Sequence, residues 1–245
     1  MDSFEDLKPG GSGILPQETH HKFFVRHFSA YNFAASYTKL KDVLEIGFGD
    51  GYGADFLAGS AENIKAIDAL EKNVGLASSK YKRPNLEFRK MSAVDLDFGD
   101  KSFDVVVSFQ VIEHIPVNLL MKYLEEIKRV LNKSGIAFIS TLNLEKNKKP
   151  GCPYSKNPFH IKEFDFEEFD GLINKVFARY EILGLFYGAR LRFFDRLKKI
   201  GIFRFLPRTL NIVDRYYDNM TADDFFWKKE DLSQCIDFMA VCNKV

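Results

Sequence analysis

From residue 42 onward the chain alternates short apolar runs with amphipathic stretches. Residues 42–47 (DVLEIG) read as a strand, followed by a glycine-rich turn and a helix over 52–61. A second strand is predicted at 63–68, then a helix to about Tyr81, and a third strand at 85–90 with Leu86 and Phe88 on one face. The run 103–109 (FDVVVSF) is nearly all apolar, as a strand covered on both faces requires. Leu120, Leu124, Ile127 and Leu131 form a helical stripe across 118–131, which Lys133, Ser134 and Gly135 stop before a fifth strand at 136–142.

At the start, 18–37 is aromatic-rich with helical spacing (Phe24, Phe28, Tyr31, Ala35). Toward the end, 165–176 reads as a helix and 180–186 as a strand. The closing strand 236–243 (IDFMAVCN) is expected at an antiparallel edge or as a hairpin partner. Strand–helix alternation at this spacing predicts an α/β fold with a doubly wound, mostly parallel, seven-stranded sheet. A flexible leader (1–17) is expected before a single domain (18–245), with 189–230 as a C-terminal lid or interface insertion.

Hydrophobic content of 46% with 28% charged residues is globular. A formal net charge of +1 provides no global field to draw nucleic acid, so no nucleic-acid partner is expected. The leader lacks the basic-then-apolar order of a secretory signal, and no run of about 18 apolar residues occurs, so a cytoplasmic protein is expected. Cys152, Cys235 and Cys242 are too few and too irregularly spaced for a disulfide framework or a zinc site, and no metal is expected.

One stretch departs from neutrality. Residues 189–218 carry eight Lys/Arg against three Asp, interleaved with Phe193, Phe194, Leu197, Ile200 and Phe205. Two readings stay open: a lid or subunit contact in a monomer or homodimer, or a peripheral membrane contact through 189–217 that meets anionic lipid or a lipid-linked substrate.

The most informative stretch is Glu45-Ile46-Gly47-Phe48-Gly49-Asp50-Gly51-Tyr52-Gly53. A buried strand runs into a turn with glycine at every second position, then into a helix. Glycine permits positive φ and lets a ligand touch bare backbone. The turn lies at the carboxyl end of the first strand, where doubly wound sheets place ligands. Gly49-x-Gly51-x-x-Ala54 fits a loose dinucleotide pattern, but starts late in the turn. The full spacing from Glu45 resembles the first motif of class I S-adenosylmethionine methyltransferases instead. Asp68 ends the second strand 17 positions after Gly51, where a carboxylate either accepts two ribose hydroxyls or caps the next helix.

Further segments resemble the methyltransferase type 11 group of that class. They are 100–107 (DKSFDVVV), 108–114 (SFQVIEH), 126–131 (EIKRVL), 140–143 (STLN) and 157–164 (NPFHIKEF), the last similar to an element of a bacterial branch. The resemblance implies a Rossmann-like methyltransferase fold and S-adenosyl-L-methionine as cofactor. It implies that Gly47, Gly49 and Gly51 approach the methionine part, with Glu45 near its ammonium. Asp68 would hold the ribose and Ala69 would flank the adenine. Phe109, Gln110, Ser92 and Ala93 would line the same site, with Ser92 standing where relatives have Asp, and Tyr31 would cover it. Ala30 precedes Tyr31 where relatives often carry Arg.

Methyl transfer is an in-line displacement, so alignment dominates and a base matters mainly for a hydroxyl acceptor. His114 and His160 are the candidate bases, each with a structural role as the alternative. The expected function is methyl transfer to a small-molecule, sugar or glycan, or lipid-linked acceptor, with 157–164 tilting toward saccharide or natural-product chemistry. A non-catalytic partner subunit of the same fold, or an NAD-dependent oxidoreductase, remain the alternatives.

Overall fold

The structure is a computed structural model that describes residues 21–148, 154, 156–201, 203 and 205–244. The expected leader, the start of the first helix at 18–20, Cys152, Ile202 and Arg204 lie outside the described residues.

Helix α1 (His21–Thr38) precedes a βα series: β1 (Asp42–Ile46), α2 (Tyr52–Ala58), β2 (Asn63–Asp68), α3 (Glu71–Lys80), β3 (Leu86–Lys90), β4 (Phe103–Phe109), α4 (Leu120–Val130) and β5 (Leu131–Leu142). The remainder is α5 (Leu144–Asn147), α6 (Phe166–Asn174), β6 (Arg179–Tyr187), α7 (Ala189–Ile200), α8 (Ile212–Asp218), β7 (Phe225–Lys228) and β8 (Asp237–Asn243). The strands form one sheet in the order β3-β2-β1-β4-β5-β8-β6-β7. Neighbours from β3 to β5 pair in parallel, and β8 and β7 run antiparallel to their neighbours.

Alternation along the strands builds two cores. Leu44, Ile46 and Val106 face one layer with Leu124, Ile127 and Phe169, whereas Val43, Val105 and Val107 face the other with Ala34 and Leu57. Each such fully buried aliphatic side chain contributes about 1.5–3 kcal/mol of burial free energy. A third cluster joins Val25 of α1 to Leu191 of α7 and to Val213 and Tyr217 of α8.

Three expectations need correction. The sheet has eight strands, because the tail of the expected insertion, Phe225–Lys228, pairs with β6. This edge strand is only four residues long, and its three-residue aromatic run is too short to announce a strand by periodicity. The closing strand β8 pairs antiparallel with β6, the strand expected at 180–186, as the second alternative held, but it also pairs with β5 and so is not an edge; Phe238, Met239, Ala240 and Cys242 are buried. Finally, α4 stops at Val130 and Leu131 already belongs to β5, paired with Phe103 across a register shift. Cys235 and Cys242 are free and buried. Among the described residues, no helix is long and apolar enough to cross a membrane.

The chain runs outward from β1 to β3 and then crosses back to place β4 beside β1. That reversal opens a crevice at the carboxyl ends of β1 and β4.

Candidate functional site

The glycine turn after β1 adopts positive φ at Gly47 (76°), Gly49 (57°) and Gly51 (93°). A Cβ at Gly47 would lie 2.4 Å from Val111 Cγ2, so the bare residue lets the ends of β1 and β4 close together. The Gly47 amide donates to the Ile67 carbonyl at 2.7 Å, and the Gly49 amide donates to Asp68 Oδ2 at 3.0 Å. Gly51 does not line the crevice, contrary to expectation. Its missing side chain makes room for Ala77 and Phe88, which a Cβ would approach to 2.9 and 3.0 Å.

Tyr31 of α1 fills the space over Gly53, where a Cβ would sit 2.0 Å from its ring. The Tyr31 hydroxyl donates to Glu45 Oε1 at 2.6 Å, and its ring meets Phe109 edge-on at 4.8 Å. Glu45 is 1% exposed and is not on the wall of the crevice, a second correction; it supports the wall through Tyr31. Burial pushes the Glu45 carboxyl up to about 7, opposed by the Tyr31 hydrogen bond, and its Oε2 has no partner.

Asp68 ties the glycine turn to the start of α3 through both carboxylate oxygens. Oδ1 accepts from the Leu70 amide at 2.9 Å, at the start of α3, while Oδ2 accepts from Gly49. Burial raises its pKa, and the two amide hydrogen bonds lower it. Two oxygens offer about four acceptor sites, so capacity remains for a ligand.

These groups line one cavity of about 320 Å³, within the range of small-molecule sites. Gly47, Gly49, Asp68, Ala69, Ser92 and Ala93 form one part of it, and Tyr31, Phe109 and Gln110 another. Gln110 holds a left-handed φ of 57° while its amide donates to Ser140 at 3.0 Å. A non-glycine residue there costs about 1–2 kcal/mol, strain stored where the chain leaves β4 beside the cavity.

The far end of the cavity is built from two sequence segments that meet. The Glu113 carbonyl accepts from the amides of Ile161 (2.8 Å) and Lys162 (3.1 Å), and His114 Nδ1 donates to the Phe159 carbonyl at 2.8 Å. A carbonyl only accepts, so the proton sits on Nδ1 and leaves Nε2 its lone pair. His160 packs edge-on against His114 at 4.9 Å. Its Nδ1 donates to Glu163 Oε1 at 2.6 Å and its Nε2 accepts from Asn157 Nδ2 at 3.2 Å, so both ring nitrogens are engaged. Burial lowers the pKa of His114; burial, and then His114 itself, lower that of His160 to about 4. Both rings are therefore neutral at pH 7.

Glu113 is fully buried beside this pair. Thr141 Oγ1 donates to its Oε2 at 3.1 Å, Oε1 has no partner, and burial pushes the carboxyl up to about 8. Glu113, His114 and His160 bring one donor atom each within 4.8 Å of one another, a cluster invisible in the residue spacing, although His160 already spends both ring nitrogens on Asn157 and Glu163.

Residue reasoning also missed His27, Tyr52, Asn73 and Asn157 on the cavity wall. His27 Nδ1 bonds the Tyr52 hydroxyl, and burial lowers its pKa to about 4. Its place on the inner face of an aromatic helix was the available signal. Ala30, by contrast, is buried in the core and does not reach the cavity.

Residues 44–139 match the family of the methyltransferase domain. A Mycobacterium tuberculosis protein named a probable S-adenosylmethionine-dependent methyltransferase is 38% identical over 187 residues, covering 76% of this chain and 66% of the relative. The chain thus spans just under two thirds of that relative. A ubiquinone biosynthesis O-methyltransferase of Rickettsia akari is 34% identical over 106 residues, 43% of this chain and 41% of its own length. In fold, the chain is similar to one from the complex between the Haloferax volcanii Trm112 methyltransferase activator and a methyltransferase. The TM-score is 0.62 at 18% identity, covering 91% of each chain. It is also similar to a Mesorhizobium loti S-adenosylmethionine-dependent methyltransferase, with a TM-score of 0.60 at 11% identity over 89% of this chain and 97% of the other.

Proposed function

We propose that the protein is a class I S-adenosylmethionine-dependent methyltransferase, as the similarity of residues 44–139 to the methyltransferase domain supports, and that it methylates a hydroxyl group of a small-molecule, saccharide or lipid-linked acceptor. The observation that carries this reading is His114. Its ring lines the same cavity as the glycine turn, and its Nδ1 bond to Phe159 leaves Nε2 basic.

The residues fit the cofactor. Gly47 and Gly49 offer uncovered backbone, and Asp68 retains acceptor sites for a diol. Ala69 and Ala93 leave space for a flat base. When bound, the sulfonium supplies an electrophilic methyl group.

The chain's own residues do the rest. The Asp68 carboxylate fixes the glycine turn through Gly49 and is placed to orient the ribose. Tyr31 and Phe109 exclude water from the reacting centre. His114 Nε2 takes the acceptor's proton as its oxygen attacks, worth about 10²–10⁴ in rate. His160, with both nitrogens engaged, holds the loop that orients His114 and acts as a positioning residue. Positioning of this kind supplies about 7–11 kcal/mol of the barrier reduction.

Calorimetry with S-adenosylmethionine and its demethylated product tests the first half, with NAD as the control. Binding of both adenosyl compounds and none of NAD is expected; preference for NAD overturns the reading. Release of the demethylated product across a panel of hydroxylated acceptors tests the second half. Turnover only with amine acceptors would overturn the hydroxyl assignment.

A further inference from the structure

Helix α7 is apolar on two faces. On the inner face, Leu191 is fully buried and Phe194 stacks on Tyr216 at 4.0 Å, within the cluster that reaches Val25 of α1. On the outer face, Phe193 and Ile200, seven positions apart, are 56% and 65% exposed. Gly201, at φ 74°, ends the helix, and the segment beyond it exposes Phe205 (90%), Leu206, Leu210 and Ile212. Scattered exposed apolar side chains are ordinary, but six of the fifteen described in this chain fall between 193 and 212.

The cations sort in the same way. Arg190 lies over the Tyr216 ring at 5.1 Å and Lys198 over Tyr217 at 4.4 Å, so both are used within the element. Arg192, Arg196 and Lys199 are exposed on the outer face and make no ion pair among the described residues. Asp195, by contrast, turns inward to Lys22 and Tyr217. The outer face is therefore cationic and apolar at interleaved positions.

We propose that the outer face of α7, with the segment 205–212, docks on an anionic phospholipid bilayer. A protein interface concentrates apolar groups at its centre and removes charge to the rim. Here charge and aromatic side chains alternate, which suits the headgroup boundary, where Arg and Lys snorkel to phosphate while Phe and Ile enter the acyl layer. A second copy of this chain would set the same cations against each other across a two-fold axis. If the acceptor is lipid-linked, which rests on the function proposed above, docking also brings it toward α1, whose His27 and Tyr31 line the cavity.

Sedimentation of the full chain with vesicles tests the proposal without cofactor or acceptor, so its failure is independent of any failure in methyl transfer. Phosphatidylcholine vesicles containing phosphatidylglycerol are expected to pellet the protein, and pure phosphatidylcholine is not. Raising salt from about 0.1 M to about 1 M should release it. Replacing Arg192, Arg196 and Lys199 together by Gln should weaken partitioning roughly a hundredfold, about fivefold per cation. The double variant Phe193→Ser with Phe205→Ser should weaken it at least tenfold. All five side chains are exposed, and unchanged melting temperatures are expected. Failure to pellet with anionic vesicles, equal pelleting with neutral ones, or a dimer by light scattering that the serine variant abolishes would each overturn the assignment.

Discussion

The two ends of the cavity are made in different ways. Around Gly47, Gly49 and Asp68 the functional groups are backbone amides and one carboxylate, and the bonds run between the first two βα units or within the second. Around His114 the groups are titratable rings, held by a loop from 157–164 that reaches back across the sheet. The first end is rigid because positive-φ turns and sheet registers fix it. The second depends on a few side-chain and carbonyl contacts. Binding should therefore be robust at one end, and rate should be fragile at the other.

The widest separation should come from His114→Ala. It should lower kcat by about 10²–10⁴-fold and leave the cofactor Kd within about twofold. Stopped assays with a responsive acceptor and calorimetry check the split, and a parallel loss of affinity would erase the distinction between the ends. Asp68→Ala should do the reverse, weakening the cofactor by about a hundredfold. Two amides lose their acceptor at once, and hydrogen bonds to a charged group are worth about 1.5–3 kcal/mol each. Unchanged binding would remove Asp68 from the site.

A third test uses pH. The Glu113 carboxyl is raised from 4.5 to about 8, so its contribution to stability is fully present below about 4.5 and is lost as pH rises through about 8. His160 is lowered from 6.5 to about 4, so its contribution is present above about 6.5 and is lost as pH falls through about 4. Glu113→Gln should accordingly gain about 1–3 kcal/mol over the native chain at pH 8, a gain that shrinks toward pH 5. Thermal unfolding at both pH values measures it; a gain independent of pH contradicts the buried, protonated carboxyl. The smallest effect is expected at the rigid end. Ser92→Asp, which places a charged acceptor on the cavity wall, should tighten the cofactor about fivefold, equivalent to about 1 kcal/mol. Calorimetry would detect it, and weaker binding would argue against an amine donor near that position.

Local signals made the βα half legible. The strand at 103–109 is recognisable because a strand buried on both faces must be apolar throughout, and the turn at 47–53 because positive φ demands glycine. The same logic holds at Gly51, whose φ is 93°, although the space its missing Cβ leaves is taken by Ala77 and Phe88. The antiparallel part was less legible. β8 is as apolar as a central strand, yet its place at the chain's end suggested an edge, and β7 is a four-residue strand with Phe226 exposed.

Sequence alone determined the order of elements through β5, the glycine-rich bend and the acid that follows it, since backbone sterics and burial act over a few residues. Only the tertiary structure decided that Glu45 stands behind Tyr31 and that His160 has both nitrogens engaged while His114 keeps one lone pair. It also decided that Glu113 joins both rings in one cluster. Those assignments depend on which side chains meet in space, across 14 residues for Tyr31 and Glu45 and 45 for His114 and Phe159, and on how much water burial removes, neither of which is encoded in local spacing.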